Sequence, residues 1–185
     1  MSTTAITETI VPAGTWQLDP VHSTVTFEVS YLGGTFKGEL EDVRASLVVE
    51  DGKGRLEGAA TVESVDVKDA SLATHLKSPE FFDAERYPEL RFVASSIPLT
   101  SEDLAFTGEI TIKGTTRPVE VRGRLSRPLT DPFGRERVGL ALSAVIDRTD
   151  FGIDWNAPLP DGQPALANEV TIRADLYFIK GEAAS

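Results

Sequence analysis

The alternation of apolar and polar residues, repeated along most of the chain, is the feature that most constrains the fold. In TVTFEVSY, Val25, Phe27, Val29 and Tyr31 alternate with polar residues. A period of two places every second side chain on the same face of a β-strand. The pattern recurs in five further segments, at 43–49, 104–112, 119–125, 138–146 and 170–178. The sequence therefore predicts an all-β protein.

Turn-forming residues separate these segments, as in EDGKG, IKGTTRP and TDPFGRE, so neighbouring strands are predicted to pair as antiparallel hairpins. Many one-faced strands without crossover helices indicate a sandwich or a closed barrel, and we favour a barrel of about eight strands. Such a barrel is either filled by side chains or holds one small ligand. The small inward residues Gly108, Gly123, Ala144 and Ala174 are compatible with both.

Length and charge narrow the function classes. The 185 residues suit one domain, which we place at 14–180 between a disordered leader (1–13) and a disordered tail (181–185). A net charge of −11 disfavours nucleic acid as a partner, and the absence of cysteine excludes disulfides and thiolate metal sites. The N-terminal residues do not resemble a signal peptide and no apolar run spans a membrane, so we expect a cytoplasmic protein.

One segment, about 69–86, breaks the strand pattern and predicts a short helical insertion. Asp69 is placed to cap a helix that carries Leu72, His75 and Leu76 on one face. Pro79 ends this helix, and Ser78 is expected to cap a second short turn.

The second turn brings the adjacent Phe81 and Phe82 against one apolar surface, whereas on a strand they would face opposite sides. The insertion is then either a lid over one end of the barrel or a plug that completes a filled core. In both cases its charged residues should face water, namely Lys77, Glu80, Asp83, Glu85 and Arg86.

Catalytic and metal motifs are not found in the sequence. The two histidines, His22 and His75, are not part of an HExxH motif, and no serine lies in a GxSxG motif. For His22 we favour a structural role, in which it hydrogen-bonds backbone groups of the Asp19-Pro20 turn, over a polar contact to a ligand. The long Pro/Gly-rich loop at 148–168 is a second candidate segment at the barrel rim. It either contacts a ligand or is held in place by its own aromatic residues.

Four segments, WQLDPVHSTVTFEV, HLKSPEFFDAERYPELRF, GEITIKGTTRPVEV and RTDFGI, resemble in this order the motifs of the YceI-like, polyisoprenoid-binding family. The resemblance covers about 14–180. It implies an extended lipocalin-like antiparallel β-barrel that holds a long isoprenoid, with the helical insertion as a cover, and it suggests a homodimer. Leu72 and Ala73 stand where many relatives have Arg-Asp, so we do not carry over those relatives' polar contacts.

We therefore expect a non-catalytic protein that binds, transports or stores a long-chain isoprenoid or similar lipid, such as a polyprenyl phosphate or a quinone. No cofactor or metal is expected apart from a bound isoprenoid or fatty-chain lipid. An enzyme acting on such a lipid and a filled structural barrel remain as alternatives. The expected ligand-binding residues are Phe27, Val29, His75, Leu76, Phe81, Phe82, Phe92, Phe106, Ile110, Leu142, Arg148, Phe151 and Trp155.

Overall fold

The computed structural model describes residues 9–181. Within them the chain forms twelve β-strands and one α-helix, α1 (Ala70–Lys77). The strands are β1 (Gly14–Leu18), β2 (Thr24–Tyr31), β3 (Gly34–Leu40), β4 (Val43–Glu50), β5 (Lys53–Thr61), β6 (Val65–Asp66), β7 (Glu89–Pro98), β8 (Asp103–Ile112), β9 (Thr115–Leu125), β10 (Leu129–Thr130), β11 (Glu136–Asp147) and β12 (Leu166–Lys180). The prediction of an all-β protein is confirmed.

Eight of these strands close into an antiparallel barrel. Their order is β11, β9, β8, β7, β5, β4, β1 and β12, and the pairing of β11 with β12 completes the circle. The edge of the long strand β12 that faces away from β11 pairs with two strands. It pairs with β1 near the C-terminal end of β12 and with β2 nearer the N-terminal end of β12. Strands β2, β3 and β6 continue the wall beyond β1. We call the end at β1 the lower end and the end at β2 and β3 the upper end.

Large side chains fill the lower end of the barrel. Trp16, Leu47 and Phe178 have no solvent exposure, and Val138 retains only 2%. These residues occupy inward positions of four different strands, and the alternation predicted this for Leu47, Val138 and Phe178. Antiparallel pairing places Trp16 on β1 opposite Leu47 on β4. Burial of each such side chain contributes about 1.5–3 kcal/mol to folding. The lower end is therefore a packed core.

The segment before β1 lies across this lower end. Val11 is fully buried, and the backbone N–H of Ile10 donates a hydrogen bond to the carbonyl of Leu99 at 2.8 Å. The predicted disordered leader is thus wrong for residues 9–13, because their apolar side chains cover the open end of the barrel; residues 1–8 lie outside the described residues. Of the predicted tail, Gly181 donates from its N–H to the carbonyl of Thr15 at 2.8 Å, and 182–185 lie outside the described residues.

Helix α1 begins as the sequence predicted. The Asp69 side chain accepts a hydrogen bond from the N–H of Leu72 at 2.9 Å, which satisfies one of the free amides at the helix N-terminus. The helix ends at Lys77, so the insertion is helical only in its first half. Turns then lead the chain to β7 at the upper end.

Two predictions for the second half of the insertion are wrong. The Ser78 hydroxyl does not cap a second helical turn; it donates to the carbonyl of His75 at 2.6 Å. The amides of Phe82 and Ala84 likewise fold back onto carbonyls of the last turn of α1, because those carbonyls need donors. This return buries Asp83, which keeps only 3% exposure instead of facing water.

Candidate functional site

A cavity of about 340 Å³ occupies the barrel above the packed lower end. Six of its lining residues carry a polar side chain, namely Thr26, Tyr31, His75, Arg91, Ser143 and Arg148, and all the others are apolar or glycine. The space exists because inward positions at this height carry small residues: Ala45 pairs with Gly58 across β4 and β5, and Ala144 and Ala174 lie on β11 and β12. An apolar cavity of this kind suits an apolar guest.

Aromatic rings form part of the cavity wall. The centroid of the Phe27 ring lies 6.3 Å from that of Phe36 on β3 and 6.1 Å from that of Phe82, which follows α1. Phe92 on β7 lines the cavity from another side of the barrel. The adjacent Phe81 and Phe82 both reach the cavity, as predicted for a turn rather than a strand.

A cluster of three rings closes part of the upper end; we call His75, Phe81 and Trp155 the mouth cluster. The His75 ring lies edge-on to Phe81 (4.8 Å between centroids) and to Trp155 (5.1 Å). Its Nε2 lies 2.6 Å from a carboxylate oxygen of Glu80. The cluster joins the α1 insertion to the long loop after β11, so both segments together cover the cavity.

Arg148 holds that loop in place from within. Its side chain is 4% exposed. Its guanidinium donates to the carbonyls of Ala167, Ile153 and Trp155, each at 2.8 Å, and at 3.4 Å to the carbonyl of Leu166 and to Oδ1 of Asn168. Burial lowers the pKa of Arg148 from its ordinary value. These protein oxygens surround the guanidinium, which therefore acts on the loop rather than as a free donor.

The loop begins with a short 3-10 helix, Arg148–Phe151, which Asp147 caps by accepting from the N–H of Thr149 at 2.9 Å. The Thr149 hydroxyl donates to the same carboxylate at 2.6 Å, and this bond, together with that from the N–H, lowers the pKa of the Asp147 carboxyl. Gly152 then takes a left-handed conformation (φ 75°) that ends the helix and turns the chain over the barrel. Phe151 and Trp155 on this loop face the cavity.

Lys113 connects the two covering segments and was not identified from the sequence. Its Nζ donates to the carbonyl of Pro79 at 2.6 Å and to that of Gly152 at 3.4 Å. The residue lies in the turn between β8 and β9 and has a left-handed conformation with φ 51°. The IKGTTRP motif indicated the turn, but its distance in sequence from both partners hid the contact.

The cavity is lined by all the predicted binding residues except Phe106, although whether they bind a ligand stays a prediction. Phe106 points inward but packs against the lower core, because β8 places it below the level of Ile110. Further lining residues continue the same alternation and were not singled out, among them Leu40, Val43, Ile112, Ile146 and Ile172. The alternation alone gave their inward orientation but not their height in the barrel.

His22 lies away from the cavity, at the lower end. Its Nδ1 is 2.7 Å from a carboxylate oxygen of Asp19, so it contacts the predicted turn through a side chain and not through the backbone. Arg137 donates to the same oxygen at 2.8 Å, and this bond is the main reason why the pKa of Asp19 falls to about 2. Among residues 9–181, no three His, Cys, Asp or Glu side chains come close enough together to hold a metal ion.

Comparison with known proteins decides the family. A sequence profile described as the YceI-like domain matches residues 16–178. The chain belongs to the YceI-like family. A UPF0312 protein of Pseudomonas putida is 33% identical to this YceI-like chain over 141 residues, 71% of each protein. Protein YceI of Escherichia coli is 29% identical over 140 residues, again 71% of each.

Solved structures show the same fold. BcnA of Burkholderia cenocepacia has a TM-score of 0.74 at 22% identity, with 86% of the YceI-like chain and 98% of BcnA covered. A polyisoprenoid-binding domain from Saccharophagus degradans, implicated in plant cell wall breakdown, has a TM-score of 0.65 at 11% identity, with 90% and 98% covered. The predicted family and the predicted barrel are thus confirmed. No helix within residues 9–181 has the length and apolar character needed to cross a membrane.

Proposed function

We propose that this YceI-like protein binds the apolar chain of a long isoprenoid or similar lipid, such as a polyprenyl phosphate or a quinone, and carries or stores it without chemical change. The observation that supports this most directly is the apolar cavity inside the barrel, covered by the α1 insertion and the loop after β11. The similarity to a polyisoprenoid-binding domain supports the same class of ligand.

Burial of an apolar chain is a sufficient source of affinity. Each buried methylene contributes roughly 0.8 kcal/mol, so about ten of them contribute on the order of 8 kcal/mol before the entropy costs of binding. The apolar wall offers few partners to a charged or polar group, whose burial there would be unfavourable. We therefore place the head group of the ligand at the upper end, near Tyr31 and the mouth cluster.

The two histidines have different environments. His22 is engaged by Asp19 at the lower end, remote from the cavity. His75 borders the cavity, and its Nε2 is paired with Glu80. The guanidinium of the neighbouring Arg148 donates hydrogen bonds to loop carbonyls. Pairing with a carboxylate also orients the histidines of catalytic dyads, so an enzyme acting on the lipid stays the alternative, which the analysis of added lipid for products tests.

Native mass spectrometry of gently purified protein, followed by denaturing extraction, tests the proposal. We expect one isoprenoid or fatty-chain molecule per chain, either co-purified or after incubation with geranylgeraniol. An apo mass that survives incubation with isoprenoids and fatty amides would overturn the proposal in favour of a filled structural barrel. Conversion of the added lipid into a product would instead favour the enzyme.

A matched pair of variants makes the same experiment specific to the cavity. Ala144→Phe adds a ring at a cavity wall position of β11 and should abolish the lipid adduct, because the ring takes the space of the guest. Ala105→Phe adds the same ring at an exposed position of β8 and should retain the adduct. Equal adduct in both variants would place the ligand elsewhere.

A cytoplasmic location and a homodimer remain further proposals. Light scattering on the purified chain should give twice the mass of 20.0 kDa, and cell fractionation should recover the protein with cytoplasmic markers. A monomeric mass or recovery with periplasmic markers would contradict the respective proposal.

A further inference from the structure

Two phenylalanine rings in the cavity wall lie flat against glycines of the neighbouring strand. Phe27 on β2 pairs with Gly38 on β3, and a Cβ built on Gly38 would lie 2.7 Å from Cε1 of that ring. Phe92 on β7 leans over Gly108 on β8, where a Cβ would lie 2.5 Å from Cζ. Both distances are well inside van der Waals contact, so each ring occupies the space that any other residue would need.

This arrangement determines where the rings point. Side chains on a strand normally stand roughly perpendicular to the sheet, which here means into the cavity. The rings fold sideways onto the wall only because glycine leaves the adjacent position vacant. With alanine at Gly38 or Gly108, the ring would have to move, and the free space beside it is the cavity that Phe27 and Phe92 already line.

The Phe27–Gly38 and Phe92–Gly108 pairs affect the width of the cavity from different parts of its wall. Phe27 and Gly38 lie on the neighbouring strands β2 and β3, whereas Phe92 and Gly108 lie on β7 and β8 in another part of the wall. A ring displaced from either pair would enter the cavity, which both rings line. The width of the cavity beside each ring therefore depends on a glycine that does not itself need to touch a ligand.

We propose that Gly38 and Gly108 set the width of the cavity and thereby select methyl-branched chains over straight ones. The inference rests on the proposed function, because it assumes that a lipid chain occupies the cavity. An isoprenoid chain carries a methyl branch on every repeating unit and needs a wider channel than an unbranched chain. Rings held flat on the wall provide this width.

Two alcohols with the same main chain test the selection, phytanol with methyl branches and hexadecanol without them. Their dissociation constants are measured by fluorescence titration, since Trp155 lines the cavity. The wild type should prefer phytanol. Gly38→Ala should weaken phytanol binding by about tenfold or more, in line with the cost of overpacking, and should change hexadecanol binding much less. Gly108→Ala should do the same.

Two further glycines provide controls. Gly34→Ala, in the same strand as Gly38, meets only the Tyr31 carbonyl at 3.8 Å and should leave both affinities unchanged. Gly58→Ala adds a methyl to the cavity wall with ordinary contacts of 3.7 and 3.8 Å, so it measures the effect of volume without ring movement. Its loss of phytanol binding should be smaller than that of Gly38→Ala.

The double variant Gly38→Ala/Phe27→Leu removes the ring that the new methyl displaces and should regain the preference for phytanol. The double variant also keeps the inference testable if Gly38→Ala alone does not fold. If the double variant does not fold either, the Phe27 ring is not the obstacle and the inference is refuted. Equal losses for both alcohols, or losses no larger than that of Gly58→Ala, would also refute it. If the wild type binds neither alcohol, the proposed function itself fails.

Discussion

Replacement of Arg148 should loosen the loop that covers the cavity. In Arg148→Met the side chain keeps most of its apolar stem but loses the guanidinium. The carbonyls of Ile153, Trp155 and Ala167 then lose a donor at 2.8 Å. Within residues 9–181, the loop between the 3-10 helix and β12 has no sheet partner that could supply donors in its place, apart from an isolated bridge between Pro158 and Pro164.

The magnitude follows from the burial of these three bonds. The bond to Ile153 is buried, so its carbonyl stays without water and the loss costs about 1.5–3 kcal/mol. The bonds to Trp155 and Ala167 are partly exposed, and water can replace the donor, which reduces the loss to about 1 kcal/mol each. Removal of a buried charge returns part of this sum. We expect a loss of about 3 kcal/mol in the free energy of unfolding.

Urea unfolding followed by circular dichroism measures this loss as a fall of about 1–2 M in the midpoint. Arg122→Met, at an exposed position of β9, is the matched control and should change the free energy of unfolding by less than about 0.5 kcal/mol. Hydrogen exchange at the amide of Ala165, which donates to the Ala157 carbonyl, should accelerate only in the Arg148 variant. A loss below about 1 kcal/mol with unchanged exchange would refute the assigned role of Arg148.

Two further predictions concern a helix cap and a buried carboxylate. Asp69→Ala should cost about 1 kcal/mol of unfolding free energy in a urea titration, because the N–H of Leu72 loses its acceptor, whereas Asp69→Asn should retain most of the cap; equal losses would contradict this. The bond from Arg137 lowers the pKa of Asp19 from 3.8 to about 2, so its contribution to stability is present above pH 4 and lost as the pH falls from about 4 to 2. In urea titrations at several pH values Asp19→Asn should flatten part of this dependence, and an unchanged slope would contradict the assignment.

The sequence predicted those parts of the fold that depend on neighbouring residues. The alternation around Phe27 gave the inward face of β2 because a strand turns every second side chain to the same side. The Asp69 cap and the Phe81-Phe82 turn were predicted because their partners lie within a few residues. Asp83 was mispredicted because a charged residue is normally exposed, whereas the return of the chain onto the end of α1 buries it here.

The contacts that cover the cavity could not be predicted in this way. Lys113 reaches Pro79, which is 34 residues away, and Arg148 reaches Ala167 across the whole loop. Each contact depends on where the hairpins of the barrel end in space. The sequence showed a turn at Lys113 and a long loop after Arg148, but it did not show that both surround the same opening.

Whether the barrel holds a cavity or is filled by side chains depends on the register of the strands as well as on the periodicity of the sequence. Along β11 the inward residues are large near the lower end, as at Leu140, and small further up, at Ala144. Ala45 and Gly58 would leave a gap only if they lie at the same height, and their direct pairing in β4 and β5 places them there. Periodicity assigns each side chain to a face, but a void needs small residues from several strands at one level. The sequence contained the small residues, and only the pairing of the strands brings them together.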